Sequence, residues 1–229
     1  MFKVLHKKHH GEADYGWIHS IYHFSFGDYI NPKKTGIGPL RVLNIDTIMP
    51  ESGYETHHHR DMEIITYVYE GERSYTDLDG KHHTLSRGSF EYISAGSGIT
   101  HSEANQTSRP LKLVQLWIEP NKYHLTPHHE THAFKEKAYL NKVLHIASGK
   151  KGSGKVRIHE DVDIYALELD EEHYMPFELR GHSELYLVLL QGEAYVNGEH
   201  IIAQDAIHTS KSVHIQPVTH SHFILVEVS

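Results

Sequence analysis

The chain has 229 residues, 22 basic and 30 acidic, for a formal charge of −8, and it contains no cysteine. That rules out disulfides, zinc fingers, iron–sulfur clusters and thiol catalysis, and it argues against broad binding to nucleic-acid phosphates, which needs clustered Lys and Arg. No run approaches the length of a transmembrane helix and the amino terminus lacks the apolar core and cleavage site of a secretory signal, so a cytoplasmic protein without nucleic-acid or membrane partners is expected.

Residues 12–50 read as short β-prone pieces, among them Trp17-Ile18-His19-Ser20-Ile21-Tyr22, broken at Gly27-Asp28, Asn31-Pro32 and Gly36-Ile37-Gly38-Pro39. Leu40–Ile48 then reads as a strand, and 50–53 as the turn into His57-His58-His59-Arg60-Asp61-Met62-Glu63. The apolar run that follows Glu63 is rich in Ile, Thr, Tyr and Val, which favours strand over helix. Asp79-Gly80 marks a hairpin between 74–78 and 82–85. Segments 90–93 and Leu111–Ile118 complete an all-β half with regularly spaced turns, as in a sandwich or barrel.

After Glu119 come Pro120, Pro127 and His124, His128, His129 and His132, read as solvated side chains of a polar connection, with a short helix expected near 131–141. The stretch 148–155 nearly matches a phosphate-binding loop through Gly149, Gly154 and Lys155, but Val156 stands where Ser or Thr must hold magnesium. It reads as a turn or linker. The second half then repeats the first: Glu184-Leu185-Tyr186-Leu187-Val188-Leu189-Leu190-Gln191-Gly192-Glu193 aligns without a gap on the ten residues from Glu63 to Glu72. Asn197-Gly198 takes the hairpin part of Asp79-Gly80, and Thr219-His220-Ser221-His222 answers Thr100-His101-Ser102-Glu103. Two related β units in tandem is the economical reading.

Strand alternation places His57 and His59 on one face of one strand, and His101 and Glu103 on one face of another. If both strands line one cavity, three imidazoles and a carboxylate converge, a donor set suited to a divalent transition metal. On spacing alone the four residues read equally as a satisfied polar cluster inside a barrel. Glu63, on the same alternation as His57 and His59, could orient an imidazole or form an ion pair at the barrel mouth, as could Arg60. In the second half, His182, Glu184, His220 and His222 fall at Asp61, Glu63, His101 and Glu103, but Glu178 and Arg180 answer His57 and His59. An arginine there would repel a cation, so a second metal site is not expected.

Gly16-Trp17, Phe24-Ser25-Phe26-Gly27-Asp28-Tyr29, Gly38-Pro39-Leu40-Arg41-Val42, His57 through Ile64, Glu70-Gly71 and Ala95-Gly96-Ser97-Gly98-Ile99-Thr100-His101-Ser102-Glu103 form a specific set. Through them the chain resembles the pirin and pirin-like proteins of the cupin superfamily, and is most similar to short bacterial members with quercetin 2,3-dioxygenase activity. The resemblance implies an all-β bicupin: two tandem jelly-roll β-barrels with short helices in the connections. A metal-binding cupin is expected over 1–125, a linker and short helix over 126–155, and a metal-free cupin over 156–229. The implied metal ligands are His57, His59, His101 and Glu103, with Glu103 also the catalytic group that accepts a substrate proton. Iron(II) is the first expectation for the metal, while nickel, copper, manganese, cobalt and zinc suit the same donors. Implied substrates are a flavonol and dioxygen, acted on by a monomer. Pirin itself is regarded as a transcription cofactor, so the alternative is a non-enzymatic metal-binding regulator or redox sensor with a protein partner. His58 departs from the family pattern, which commonly has Pro between the first two histidines; alternation points it away from the cavity.

Overall fold

A computed structural model of the chain describes residues 1–76, 80–134, 138–149 and 154–229. It divides into two compact units, Gly11–Glu136 on one side and Met1–His10 with Lys137–Ser229 on the other. Both are all-β. Among the described residues the only helical element is a 3-10 turn at Lys7–His9, and none is a helix long and apolar enough to cross a membrane.

In the unit Gly11–Glu136, a seven-stranded antiparallel sheet runs in the order His128–His132, Phe90–Ser94, Glu63–Glu70, Leu111–Ile118, Leu40–Ile48, Ile18–Tyr22, Gly11–Asp14. A four-stranded antiparallel sheet has the order Ser52–His59, Ile99–Asn105, Glu72–Thr76, His82–Ser86. The two sheets enclose a jelly-roll interior. Ile48, Val68, Tyr75, Leu85, Leu111 and Leu113 plug part of it. Because side chains alternate, the inward face of Leu111–Ile118 continues from Leu111 and Leu113 to Gln115 and Trp117. One strand thus carries its inward face from an apolar plug to a polar and an aromatic side chain.

The other unit has the same plan. Its seven-stranded sheet runs Phe2–Leu5, Ala206–Thr209, Glu184–Gln191, Ser221–Val228, Val162–Leu169, Val143–Ser148, Val156–Arg157. The four-stranded one runs Met175–Phe177, Val213–Pro217, Glu193–Val196, Glu199–Ile202. Leu167, Leu185, Leu187, Phe223 and Leu225 are among its buried core residues. Asn197 and Gly198, with φ of 50° and 85°, close a two-residue hairpin between Val196 and Glu199. Both central residues of such a primed turn need positive φ, which Asn and Gly tolerate best.

Several expectations need correction. The described residues of 131–141 do not form the expected helix: His128–His132 is an edge strand paired with Phe90–Ser94, 138–139 form a turn, and 135–137 lie outside the described residues. His128, His129 and His132 therefore sit on a strand and not in a loop. The expected Asp79-Gly80 hairpin falls partly outside the described residues, but its flanks pair as Thr76 with His82. Residues 150–153 of the near phosphate-binding loop are also outside them. The following segment, Val156–Arg157, is a short strand parallel to Val143–Ser148, where a phosphate-binding loop requires a helix. Finally, residues 1–10, read with the N-terminal half, belong to the C-terminal unit, because Phe2–Leu5 pairs with Ala206–Thr209.

Candidate metal centre

Ser52–His59 pairs with Ile99–Asn105 so that His57 stands opposite His101. A register shift between His101 and Glu103 leaves Glu103 opposite Tyr54. Inward alternation brings His57, His59 and His101 together, with one ligand nitrogen from each within 4.8 Å of the others. His57 Nε2 and His101 Nε2 are 3.1 Å apart, and His101 Nε2 lies 3.3 Å from Glu103 Oε1. Two donors about 2.1 Å from one ion and at right angles to each other lie about 3 Å apart, so this spacing fits a shared cation.

Tautomer and charge agree with that fit. The Nδ1–H of His57 donates to the Glu55 carbonyl at 2.8 Å, which leaves the Nε2 lone pair facing inward. Burial, then the neighbouring His101 and His57, lowers the His59 pKa to about 4. Burial likewise lowers that of His101. Near neutral pH these are neutral imidazoles, the form that binds a metal. Burial alone would raise the Glu103 carboxyl, but Arg73 and then His101 outweigh it and hold Glu103 below the usual carboxylate range. Three of the four expected ligands, His57, His59 and His101, thus form a metal-type group, and Glu103 lies outside that group with Oε1 beside His101.

His58 is exposed, with Nδ1 3.1 Å from Thr100 Oγ1 and outside the cluster. Glu63 does not share a strand with His57 and His59. The chain breaks at Arg60–Met62, where Asp61 has φ 49° and donates its N–H to the Gly96 carbonyl, and Glu63 begins a strand of the other sheet. There Glu63 is buried and accepts the Tyr92 hydroxyl at 2.6 Å. Arg60 is at the surface, 3.3 Å from Asp61 and 3.0 Å from His124.

Around the cluster lie groups that no sequence motif marks. Arg73, fully buried, lies 3.0 Å from Glu103 Oε2 and 2.7 Å from Glu91 Oε2. Gln115 donates to the same Glu103 oxygen at 3.4 Å, and His129 Nε2 is 2.8 Å from Glu91 Oε1. Trp117 meets His59 edge-on at 5.0 Å, Phe26 meets Trp117 at 5.5 Å, and Tyr54 lies 5.8 Å from His57. Asp46, buried on the strand beside Gln115, accepts the Ser20 hydroxyl at 2.6 Å. Burial pushes its pKa up to about 7. Period-two alternation could have turned Arg73 inward beside Tyr75; nothing local announced its partners.

In the C-terminal unit the aligned residues do not converge. His220 bonds Glu168 and Asp170, and His208 bonds Glu184. Arg180 instead pairs with two buried carboxylates, Asp163 and Glu227. Among the described residues, His57, His59 and His101 form the one metal-type group found.

Comparison with known proteins bears on this geometry. The Pirin family model matches residues 3–118. The chain belongs to the pirin family. A second model, the quercetinase C-terminal cupin domain, matches residues 145–228. Quercetin 2,3-dioxygenase of Escherichia coli K12 is 33% identical over 221 residues, covering 95% of this chain and 94% of its own. A pirin-like protein of Caulobacter vibrioides is 34% identical over 196 residues, covering 85% and 84%. The crystal structure of the bacterial pirin YhhW from Escherichia coli, a complex with nickel(II), superposes with a TM-score of 0.90 at 29% identity, covering 100% of this chain and 99% of that one. The bicupin fold expected from the sequence is therefore the fold of this pirin. The histidine cluster and the nickel complex of that structural neighbour together support a divalent metal here.

Proposed function

We propose that this pirin is a metal-dependent dioxygenase that opens the heterocycle of flavonols such as quercetin with dioxygen. The observation that carries the reading is a group of imidazoles, neutral at His59 and His101 and part-exposed at His57, walled by Trp117, Phe26 and Tyr54. Apolar rings beside a polar cluster suit a flat aromatic ligand with a chelating edge. In this reading His57, His59, His101 and Glu103 hold one divalent metal, iron(II) or another of the first-row ions that suit the set. A bound metal would supply Lewis acidity, lowering the pKa of the flavonol 3-hydroxyl.

The chain's own groups do the rest. His57 is oriented by its bond to the Glu55 carbonyl. Trp117 and Phe26 stack the flavonol and keep water from one side. Oε1, the oxygen turned toward His101, is the one oxygen of Glu103 available to hold the metal or, when released from it, to take the 3-hydroxyl proton, while Oε2 remains on Arg73. The quercetin 2,3-dioxygenase name of the Escherichia coli relative supports this reading, while the Caulobacter relative is named only pirin-like.

The test is quercetin turnover by protein reloaded anaerobically with iron(II), manganese(II), nickel(II) or copper(II), following loss of flavonol absorbance and release of carbon monoxide. Metal-dependent turnover lost in both His101→Ala and Glu103→Ala supports the dioxygenase. Stoichiometric metal with no turnover under any of the four ions overturns it in favour of a metal-binding regulatory protein.

A further inference from the structure

Glu103 is buried at the end of a chain of charges that crosses to the other sheet and reaches its edge strand, His128–His132. Alternation turns Arg73 and Tyr75 of Glu72–Thr76 inward, next to Ile99–Asn105, with Tyr75 opposite Glu103. The Nε–H of Arg73 donates to Glu103 Oε2 at 3.0 Å. Its Nη2 sits 2.7 Å from Glu91 Oε2, its guanidinium lies over the Tyr75 ring at 5.1 Å, and Glu91 is anchored in turn by His129 at 2.8 Å. The side chains of Arg73, Glu91 and Glu103 are 0%, 1% and 3% exposed, so none of these charges is satisfied by bulk water.

We propose that Arg73, braced by Glu91 and His129, is the positioning residue of the metal centre. It occupies Oε2 of Glu103 and leaves Oε1 as the one carboxylate oxygen presented to the imidazoles. The assignment rests on the metal-site reading above and deepens it. Two carboxylates this close in a buried interior repel each other, and the guanidinium between them offsets that repulsion. Its planar fork carries donors in fixed directions, so it orients an acceptor as well as balancing charge. A carboxylate held by one oxygen offers a metal a single, fixed donor. Freed of Arg73, Glu103 could rotate and present either oxygen or both.

Removing Arg73 alone would leave two buried anions facing each other and could unfold the barrel. The main variant is therefore Arg73→Met with Glu91→Leu, which removes one charge of each sign and fills the space with apolar groups. Arg73→Lys keeps the charge and loses the fork. Full-length metal-free protein is titrated with cobalt(II), with the d–d absorption recorded at saturation and circular dichroism confirming the fold. The expected result is cobalt affinity weakened by about 10- to 100-fold in the double variant, as is usual when a group supporting a ligand is lost. The cobalt spectrum should also change shape, because Glu103 coordinates differently, and Arg73→Lys should fall between the two proteins. A folded double variant that binds cobalt within about threefold of wild type with an unchanged spectrum makes Arg73 purely structural and overturns the proposal. Failure of the wild-type protein itself to bind cobalt overturns the metal-site reading, and this proposal with it. Loss of flavonol turnover with normal cobalt binding touches only the dioxygenase reading.

Discussion

Asp46 shows how strongly the interior of the first barrel treats charge. Buried and bonded to Ser20, it holds its proton up to about pH 7, whereas the unfolded chain releases it near 3.8. Between those values the unfolded state binds fewer protons, so this group's contribution falls as pH rises and levels off above 7. Asp46→Asn keeps an acceptor for Ser20 and cannot ionise. Its stability relative to wild type should therefore improve by about 4 kcal/mol between pH 4 and pH 8, read from urea melts of metal-free protein. A pH-independent difference would mean that Asp46 is ionised in the native state. The aromatic wall makes its own prediction. Phe26→Ala removes a ring that packs on Trp117. Under the flavonol reading, steady-state assays should show KM raised by about tenfold with kcat little changed, as expected when binding is lost equally in ground and transition states.

At the scale of elements, the strand that carries Arg73 is entered through one tight connection. Gly71 joins Glu63–Glu70 to Glu72–Thr76 with φ 82°, and a Cβ there would lie 2.8 Å from the Pro110 carbonyl oxygen. Gly71→Ala combines left-handed strain with a backbone clash and should destabilise the protein by roughly 1–3 kcal/mol. Denaturant titration checks this. Because Arg73 follows two residues later, the same variant should also weaken metal binding. The strand Leu111–Ile118 teaches a related lesson. Leu111 and Leu113 belong to the core cluster, while Gln115 and Trp117 on the same face contact Glu103 and His59. One period-two pattern therefore encodes both stability and chemistry.

At the scale of the molecule, every residue of the candidate centre lies in the unit Gly11–Glu136. The first ten residues instead complete the sheet of the C-terminal unit: Val4 stands opposite Ile207, and Phe2 and Val4 pack against the core that includes Leu187 and Phe223. A chain beginning at Gly11 loses these two apolar side chains and uncovers the Ala206–Thr209 edge. Its C-terminal unit should lose roughly 2–4 kcal/mol on the area those side chains bury. Cobalt affinity at the histidines should stay within about twofold of the full chain, because no ligand or ligand support is removed. Calorimetry and metal titration of the same sample test both halves of the statement. In the second barrel Arg180 sits between Asp163 and Glu227, a fixed cation neutralising two buried carboxylates.

What the sequence determined by itself was local. Leu40–Ile48, Glu63–Glu70 and Leu111–Ile118 were legible because an apolar, β-branched run and its bounding turns are contiguous in the chain. The shared faces of His57 with His59, and of His101 with Glu103, followed from alternation alone. The tandem repeat and the family motifs placed both pairs in one kind of barrel. Tertiary structure decided which faces meet. It put Glu63 in the other sheet, because the kink at Asp61 ends one strand and starts another. It carried residues 1–10 to the C-terminal unit through strand pairing that no short-range pattern reports. It also joined Arg73 to Glu103, 30 residues along the chain, and Glu91 to His129, 38 residues along. A period of two records the side of a strand on which a residue lies. The charge that waits across the barrel is set by closure of the sheets, and only the folded chain contains that closure.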